Sequence, residues 1–187
     1  MIKKCLILVL LFGAINAEDF SENSNLTIGA YGNFGSTMGV GVDFGFSLYS
    51  APSWQLRNII SMEYKGLKLQ SGGYDSSALI FHEKVMIGLL LGSSVASHIG
   101  FAYFRPYLYI SGGFGLLHAK TSPMGSAPFY CEVQGGLGHE FITPEGHTLF
   151  FEIGGGVSAL THSLQGQVRN ATLGGMVKTI LGYRLHF

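Results

Sequence analysis

Between Met38 and Tyr49 every second side chain is large and apolar, and no other feature narrows the possible folds of this chain as far. Met38, Val40, Val42, Phe44, Phe46 and Leu48 share one parity, while Gly39, Gly41, Asp43, Gly45, Ser47 and Tyr49 share the other. Successive residues of an extended chain point to opposite faces, so the segment reads as a strand with one greasy face and one small or polar face. The pattern recurs along the chain. Leu149, Phe151, Ile153 and Val157 alternate with Thr148, Glu152, Gly154, Gly156 and Ser158. Phe129, Val133, Leu137 and Phe141 oppose Tyr130, Glu132, Gln134, Gly136, Gly138 and Glu140. Leu108, Ile110, Phe114 and Leu116 oppose Tyr107, Tyr109, Ser111, Gly113 and Gly115. Trp54, Leu56, Ile60, Met62 and Tyr64 oppose Gln55, Arg57, Ser61, Glu63 and Lys65, with Ile59 breaking the series.

A soluble sandwich would alternate in the same way, with its apolar face turned inward. Composition favours the inverted arrangement. Only 12% of the 187 residues are charged, 47% are hydrophobic and 28 are glycine, whereas a soluble domain carries about 25% charged residues. The polar faces hold glycine and serine rather than lysine and threonine. Glycine weakens an ordinary strand but suits the crowded centre of a narrow barrel. Trp54, Tyr64, Phe141, Tyr183 and Phe187 fall near strand ends, as interfacial girdles do. The fold expected is an all-β, membrane-spanning, antiparallel up-and-down barrel.

Lys3 and Lys4, the apolar run Cys5–Ile15 and the small Ala17 before Glu18 and Asp19 read as a signal peptide cut after Ala17. The expected organisation is a leader over 1–17, a short periplasmic segment over 18–24 and a barrel over 25–187. Val85–Phe104 lacks Asp, Glu, Lys and Arg, but Gly92, Ser93, Ser94 and His98 interrupt it where a transmembrane helix would meet lipid tails. Past the leader only Cys131 remains, so no internal disulfide can form.

Eight strands are expected, near 25–34, 38–49, 54–66, 78–91, 103–117, 128–141, 147–160 and 172–187. Eight is an even number, as in bacterial single-chain barrels, and nearly all these segments exceed the roughly 9–11 residues that a tilted strand needs to cross a bilayer. Residues 50–53 and 143–146 read as tight turns, and 67–77, 118–127 and 161–171 as longer polar loops. The Gly35–Thr37 connection is short for an external loop, and 92–102 is long for an internal turn.

The chain closes on Thr179, Leu181, Tyr183, Leu185 and Phe187 at alternate positions. This ending resembles the terminal strand recognised by the bacterial outer-membrane assembly machinery, an exposed strand able to add to a sheet edge. Leu181, Tyr183, Leu185 and Phe187 would carry that signal. With phrases such as Arg105–Gly115, residues 25–187 resemble the small eight-stranded proteins around the OmpA transmembrane domain and the opacity-type surface proteins. The resemblance implies residence in the cell outer membrane, contact with its lipids, and passage through periplasmic chaperones and the assembly machinery. The peptidoglycan-binding role of longer relatives is not carried over.

The expected inward charges are Asp43, Arg57, Glu63, Lys65, Glu132, Glu140, Glu152, Lys178 and Arg184. Eight strands leave an interior that side chains fill, so these should form a paired network rather than line a channel, with Arg184 and Glu152 as the leading pair. Small barrel deacylases use a His-x-Ser pair with a downstream Glu. Here His162 and Ser163 are adjacent and no Asp or Glu follows Glu152, so the nucleophile–base–orienter set is incomplete. The seven histidines show no compact ligand spacing, and no cofactor is expected. No basic block marks a nucleic-acid partner. The reading is a non-enzymatic surface protein that contributes to envelope structure or contacts host or partner molecules through loops 67–77, 118–127 and 161–171, with a narrow pore and a lipid A-modifying enzyme as alternatives.

Overall fold

A computed structural model describes residues 26–51, 53–68, 74–89, 103–119, 129–164 and 167–187. The expected leader, Ala17 and the 18–24 segment lie outside these residues. Eight strands follow one another: β1 (Leu26–Gly35), β2 (Thr37–Ala51), β3 (Trp54–Lys68), β4 (Tyr74–Leu89), β5 (Tyr103–Ala119), β6 (Phe129–Ile142), β7 (His147–Leu164) and β8 (Gln167–His186). Each pairs antiparallel with its neighbours, and β8 returns to β1 to close the barrel. The closing seam reaches the last residue: Phe187 donates its N–H to Leu26 O at 3.0 Å. Closure leaves no unpaired edge, the condition for crossing a bilayer with strands. Val85–Leu89 and Tyr103–Phe104, the two ends of the apolar run weighed as a helix, belong to β4 and β5.

The apolar parity faces outward along the barrel. Val40, Val42, Phe44, Ile60, Leu108, Ile110, Phe114, Leu116, Leu137, Ile153 and Leu181 are exposed, whereas the polar parity is buried. That distribution is stable only if the exterior solvent is lipid. Leu26, Phe187 and the turns at 51–54 and 143–146 gather at one end, here the terminal end. There Tyr49 stacks on Trp54 with ring centroids 4.7 Å apart, and Phe104 packs on Phe141 at 5.2 Å. Phe81, Phe114 and Phe129 form a second aromatic row farther along.

Three details depart from the sequence reading. A bulge between Ser47 and Tyr49 places Leu48 and Tyr49 both outside, so Tyr49 joins the aromatic belt instead of the polar face. Ile59 keeps the strand's parity and points inward, fully buried against Met86, Tyr107 and Tyr109. The expected loops are shorter than 67–77, 118–127 and 161–171, because the strands run on into them. The largest extension is β7–β8, where pairing continues to Leu164↔Gln167 although β6 ends its pairing with β7 at Thr161 and β1 pairs with β8 only to Lys178. A two-stranded hairpin therefore stands beyond the closed wall at the far end.

The short β1–β2 turn works because β8 supports it. Gly35 adopts φ 131°, which a side chain rarely tolerates. Ser36 N donates to Val177 O at 2.9 Å, and Val177 N returns a bond to Ser36 Oγ at 3.0 Å.

Candidate functional site

The barrel interior holds the polar chemistry. The structure places all nine sequence-derived charges inside: Asp43, Arg57, Glu63, Lys65, Glu132, Glu140, Glu152, Lys178 and Arg184 are each buried. They separate into two groups along the barrel axis.

Towards the far end, late β3 supplies Glu63 and Lys65, β6 Glu132 and β8 Lys178. Lys178 Nζ bonds Glu63 Oε2 at 2.6 Å, Lys65 Nζ bonds Glu132, and Lys65 also lies 3.7 Å from Glu63. The carboxylates gain further donors from Tyr31 Oη, 3.2 Å from Glu63, and Tyr130 Oη, 2.7 Å from Glu132. His82 sits between them, with ring nitrogens 3.6 Å from Glu63 and 3.5 Å from Glu132. Because both carboxylates are already bonded to lysines, the His82 cluster is not arranged as a metal cage. Among the described residues no group of three or more His, Cys, Asp or Glu is placed to hold a metal ion. Ala78, Ile80, Leu117 and Tyr130 pack together as an apolar group at the same end.

Towards the terminal end the hub is Arg184. Its guanidinium bonds Asp43 Oδ2 through Nε at 3.0 Å and Nη2 at 2.8 Å, bonds Glu140 Oε1 through Nη1 at 2.7 Å, and lies 3.7 Å over the Phe150 ring. Arg105 adds a bond to Glu140 at 2.9 Å. Arg57 donates to Thr27 Oγ1 at 2.7 Å and stands 4.0 Å from Glu140. The expected pair of Arg184 with Glu152 is present as a buried ion pair, although each has closer partners. The two are 3.7 Å apart, but Glu152 is bonded to Lys84 through both oxygens at 2.7 Å and to Tyr107 Oη at 2.8 Å. The register explains the closer partners. Gly29 of β1 lies opposite Asp43 on one side and Arg184 on the other. A Cβ there would fall 2.5 Å from Asp43 Oδ1 and 2.6 Å from Arg184 Cγ, so a bare glycine lets the two meet.

Among the described residues four interior basic or imidazole side chains escaped the sequence reading: His82, Lys84, Arg105 and His186. Parity would have found them. Leu79, Phe81, Val85 and Ile87 set the outward face of β4, which leaves His82 and Lys84 inside and Glu83 outside. Arg105 shares its parity with the buried Tyr107, Tyr109 and Ser111.

The C-terminal alternation stays on the lipid side. Leu181 and Phe187 are exposed, and Tyr183 contacts His147, whose Nδ1 bonds the phenol oxygen. Cys131 is half-buried at an outward position of β6. His162 and Ser163 lie in the β7 extension and pair with Arg169 and Val168 across the hairpin.

No protein-family pattern matches the sequence, and no curated protein matches it either. Among solved structures, the fold is similar to that of the N-terminal β-barrel domain of Pseudomonas aeruginosa OprF. The TM-score is 0.54 at 13% identity, covering 88% of this chain and 98% of that one. It is also similar to a major outer membrane protein from Thermus thermophilus, with TM-score 0.47, 13% identity and coverage of 87% and 99%. A third similar structure is the outer membrane enzyme PagL, with TM-score 0.46, 17% identity and coverage of 86% and 99%. At such identities the likeness is one of fold. The chain is a closed eight-stranded antiparallel β-barrel with its apolar face outward, a fold it shares with the OprF barrel domain.

Proposed function

We propose that this barrel is a non-enzymatic surface protein that holds its far-end loops and the β7–β8 hairpin out for contact with envelope or host molecules. One observation carries the reading: the interior is committed to its own packing. Five carboxylates and six cationic side chains are buried there, bonded across strands and interleaved with Tyr31, Ile59, Met86, Phe150 and Ile180. Charges bonded to one another in this way support a packed plug rather than a lined channel. Contact chemistry then falls to the segments that a rigid scaffold displays. Short turns face the periplasm in outer-membrane barrels, so the end bearing 51–54 and 143–146 is assigned to that side.

Three measurements test the proposal. Purified barrel in planar bilayers should give no reproducible current steps; steps abolished by replacing Arg184 would mean a pore. The lipid A mass spectrum of cells expressing the chain should be unchanged, and a new species would mean an enzyme. Cells displaying the chain without 69–73, 120–128 and the hairpin tip at 165–166 should keep a folded barrel but lose adherence or envelope resistance. Retention of both properties would refute the loop assignment.

A further inference from the structure

Among the described residues, Glu83 is a carboxylate that faces the wrong solvent. Glu83 lies on the outward parity of β4, exposed between Phe81 and Val85, opposite Ile60 of β3 and Gly112 of β5. Trp54↔Leu89 marks the aromatic terminal end of this sheet and Tyr64↔Leu79 lies towards the other end, so Glu83 stands well inside the apolar band. Its Oε1 accepts a hydrogen bond from Asn58 Nδ2 at 2.9 Å. Asn58 is itself outward by register, only 8% exposed, and its Oδ1 has no hydrogen-bond partner. Lipid tails offer neither donors nor acceptors, so an unmatched polar group at this depth is costly.

The glycines around it differ from those of the interior. Inside, a Cβ at Gly29, Gly39 or Gly45 would collide with neighbouring side chains, which explains why glycine stands there. At Gly112, directly beside Glu83, a Cβ would meet nothing within 4 Å. Gly135 lies diagonally next to Gly112 on β6 and faces Gly155 of β7, with only one backbone oxygen near the position of each Cβ, at 3.3 Å and 3.2 Å. The chain's own packing therefore does not demand these outward glycines. They leave a shallow notch beside the Glu83–Asn58 pair, where another backbone can approach closely.

We propose that this face is where a second copy of the chain docks within the bilayer, Glu83 and Asn58 of each copy meeting across a two-fold axis along the membrane normal. The occupant must offer donors and acceptors at this one depth. A second copy inserted in the same direction does so by symmetry, because an isologous contact sets each patch against itself. The complementarity is present in the pair: Asn58 keeps an N–H and Oδ1, and Glu83 keeps Oε2. Two pairs facing each other let the free Asn58 N–H of each copy donate to Oε2 of the other copy's Glu83.

The test uses the mature chain with Cys131→Ser and a Ser53→Cys label, reconstituted in phosphatidylcholine vesicles as mixed donor- and acceptor-labelled populations. Energy transfer is followed as lipid dilutes protein. Transfer should persist on dilution above the level of random encounter. It should weaken at least about tenfold in Glu83→Leu and in Asn58→Leu, and survive in Glu83→Gln, which still hydrogen-bonds. Gly112→Val, whose Cβ meets nothing within 4 Å, should also weaken it. Each variant is first shown to be folded by its heat-dependent gel mobility. Monomeric behaviour of the parent, association unaffected by the Leu and Val variants, or association lost in Glu83→Gln would overturn the proposal.

Discussion

At the residue scale the molecule depends on Arg184 more than on any other side chain. It ties β8 to Asp43 of β2 and to Glu140 of β6 while covering Phe150. Removing one member of a buried ionic group leaves the others uncompensated, which costs roughly 3–5 kcal/mol. Arg184→Met should therefore lower the unfolding free energy in lipid by about that amount, read from urea titration of tryptophan emission. Replacing Lys84 by Met should cost less, because Glu152 keeps the Tyr107 bond and the neighbouring Arg184. The terminal-end turn offers a contrasting, exposed case. The Thr143 hydroxyl and Glu145's own backbone N–H hold the Glu145 carboxyl below the usual carboxylate range, while Thr143 Oγ1 accepts from His147 N at 3.2 Å. A depressed folded pKa stabilises the turn above the unfolded value, and that contribution is lost as pH falls through the folded value. Carbon-detected NMR titration should place the Glu145 midpoint below that of a free glutamate. Thr143→Val should move it upward; an unchanged midpoint would rule out the hydroxyl as the cause.

Strands pack here by setting ring against glycine. Gly138 of β6 lies opposite Tyr107 of β5, and a Cβ on it would run into that ring; Gly41 stands in the same relation to Tyr31. Overpacking a filled core costs about 1–3 kcal/mol, so Gly138→Ala should destabilise the barrel by that order. Most of this should disappear in the Tyr107→Leu background, a coupling that a double-mutant cycle measures. Gly112→Ala, with open space around it, should leave stability nearly unchanged. The last strand carries a separate prediction. If Leu181, Tyr183, Leu185 and Phe187 serve assembly, deleting Phe187 should reduce the yield of folded barrel in cells far more than refolding from urea into detergent. Equal losses in both would instead assign the residue to the seam with Leu26.

For the whole molecule, closure and an interior filled by cross-strand bonds predict a barrel that resists detergent until heated. Unboiled and boiled samples should run apart on a gel, and Arg184→Met should lower the temperature at which they merge. The eight strands, the outward face and nine of the buried charges were legible in the sequence, because a period of two survives any register. Lys84 and Arg105 were equally legible by parity, but the apolar Ile80 and Met86 on the inner face blur the alternation of β4, and Arg105 precedes the run from Tyr107 on which the β5 faces are read.

What the sequence determined by itself is which side of each strand meets lipid, since that follows from alternation within one segment. Which charge meets which was decided by the tertiary structure. Partners are set by register around a closed sheet: Gly29 admits Asp43 to Arg184, Lys84 takes Glu152, and the bulge at Leu48 turns Tyr49 outward. These outcomes depend on residues far apart in the chain, and no local pattern encodes the spacing that ring closure imposes.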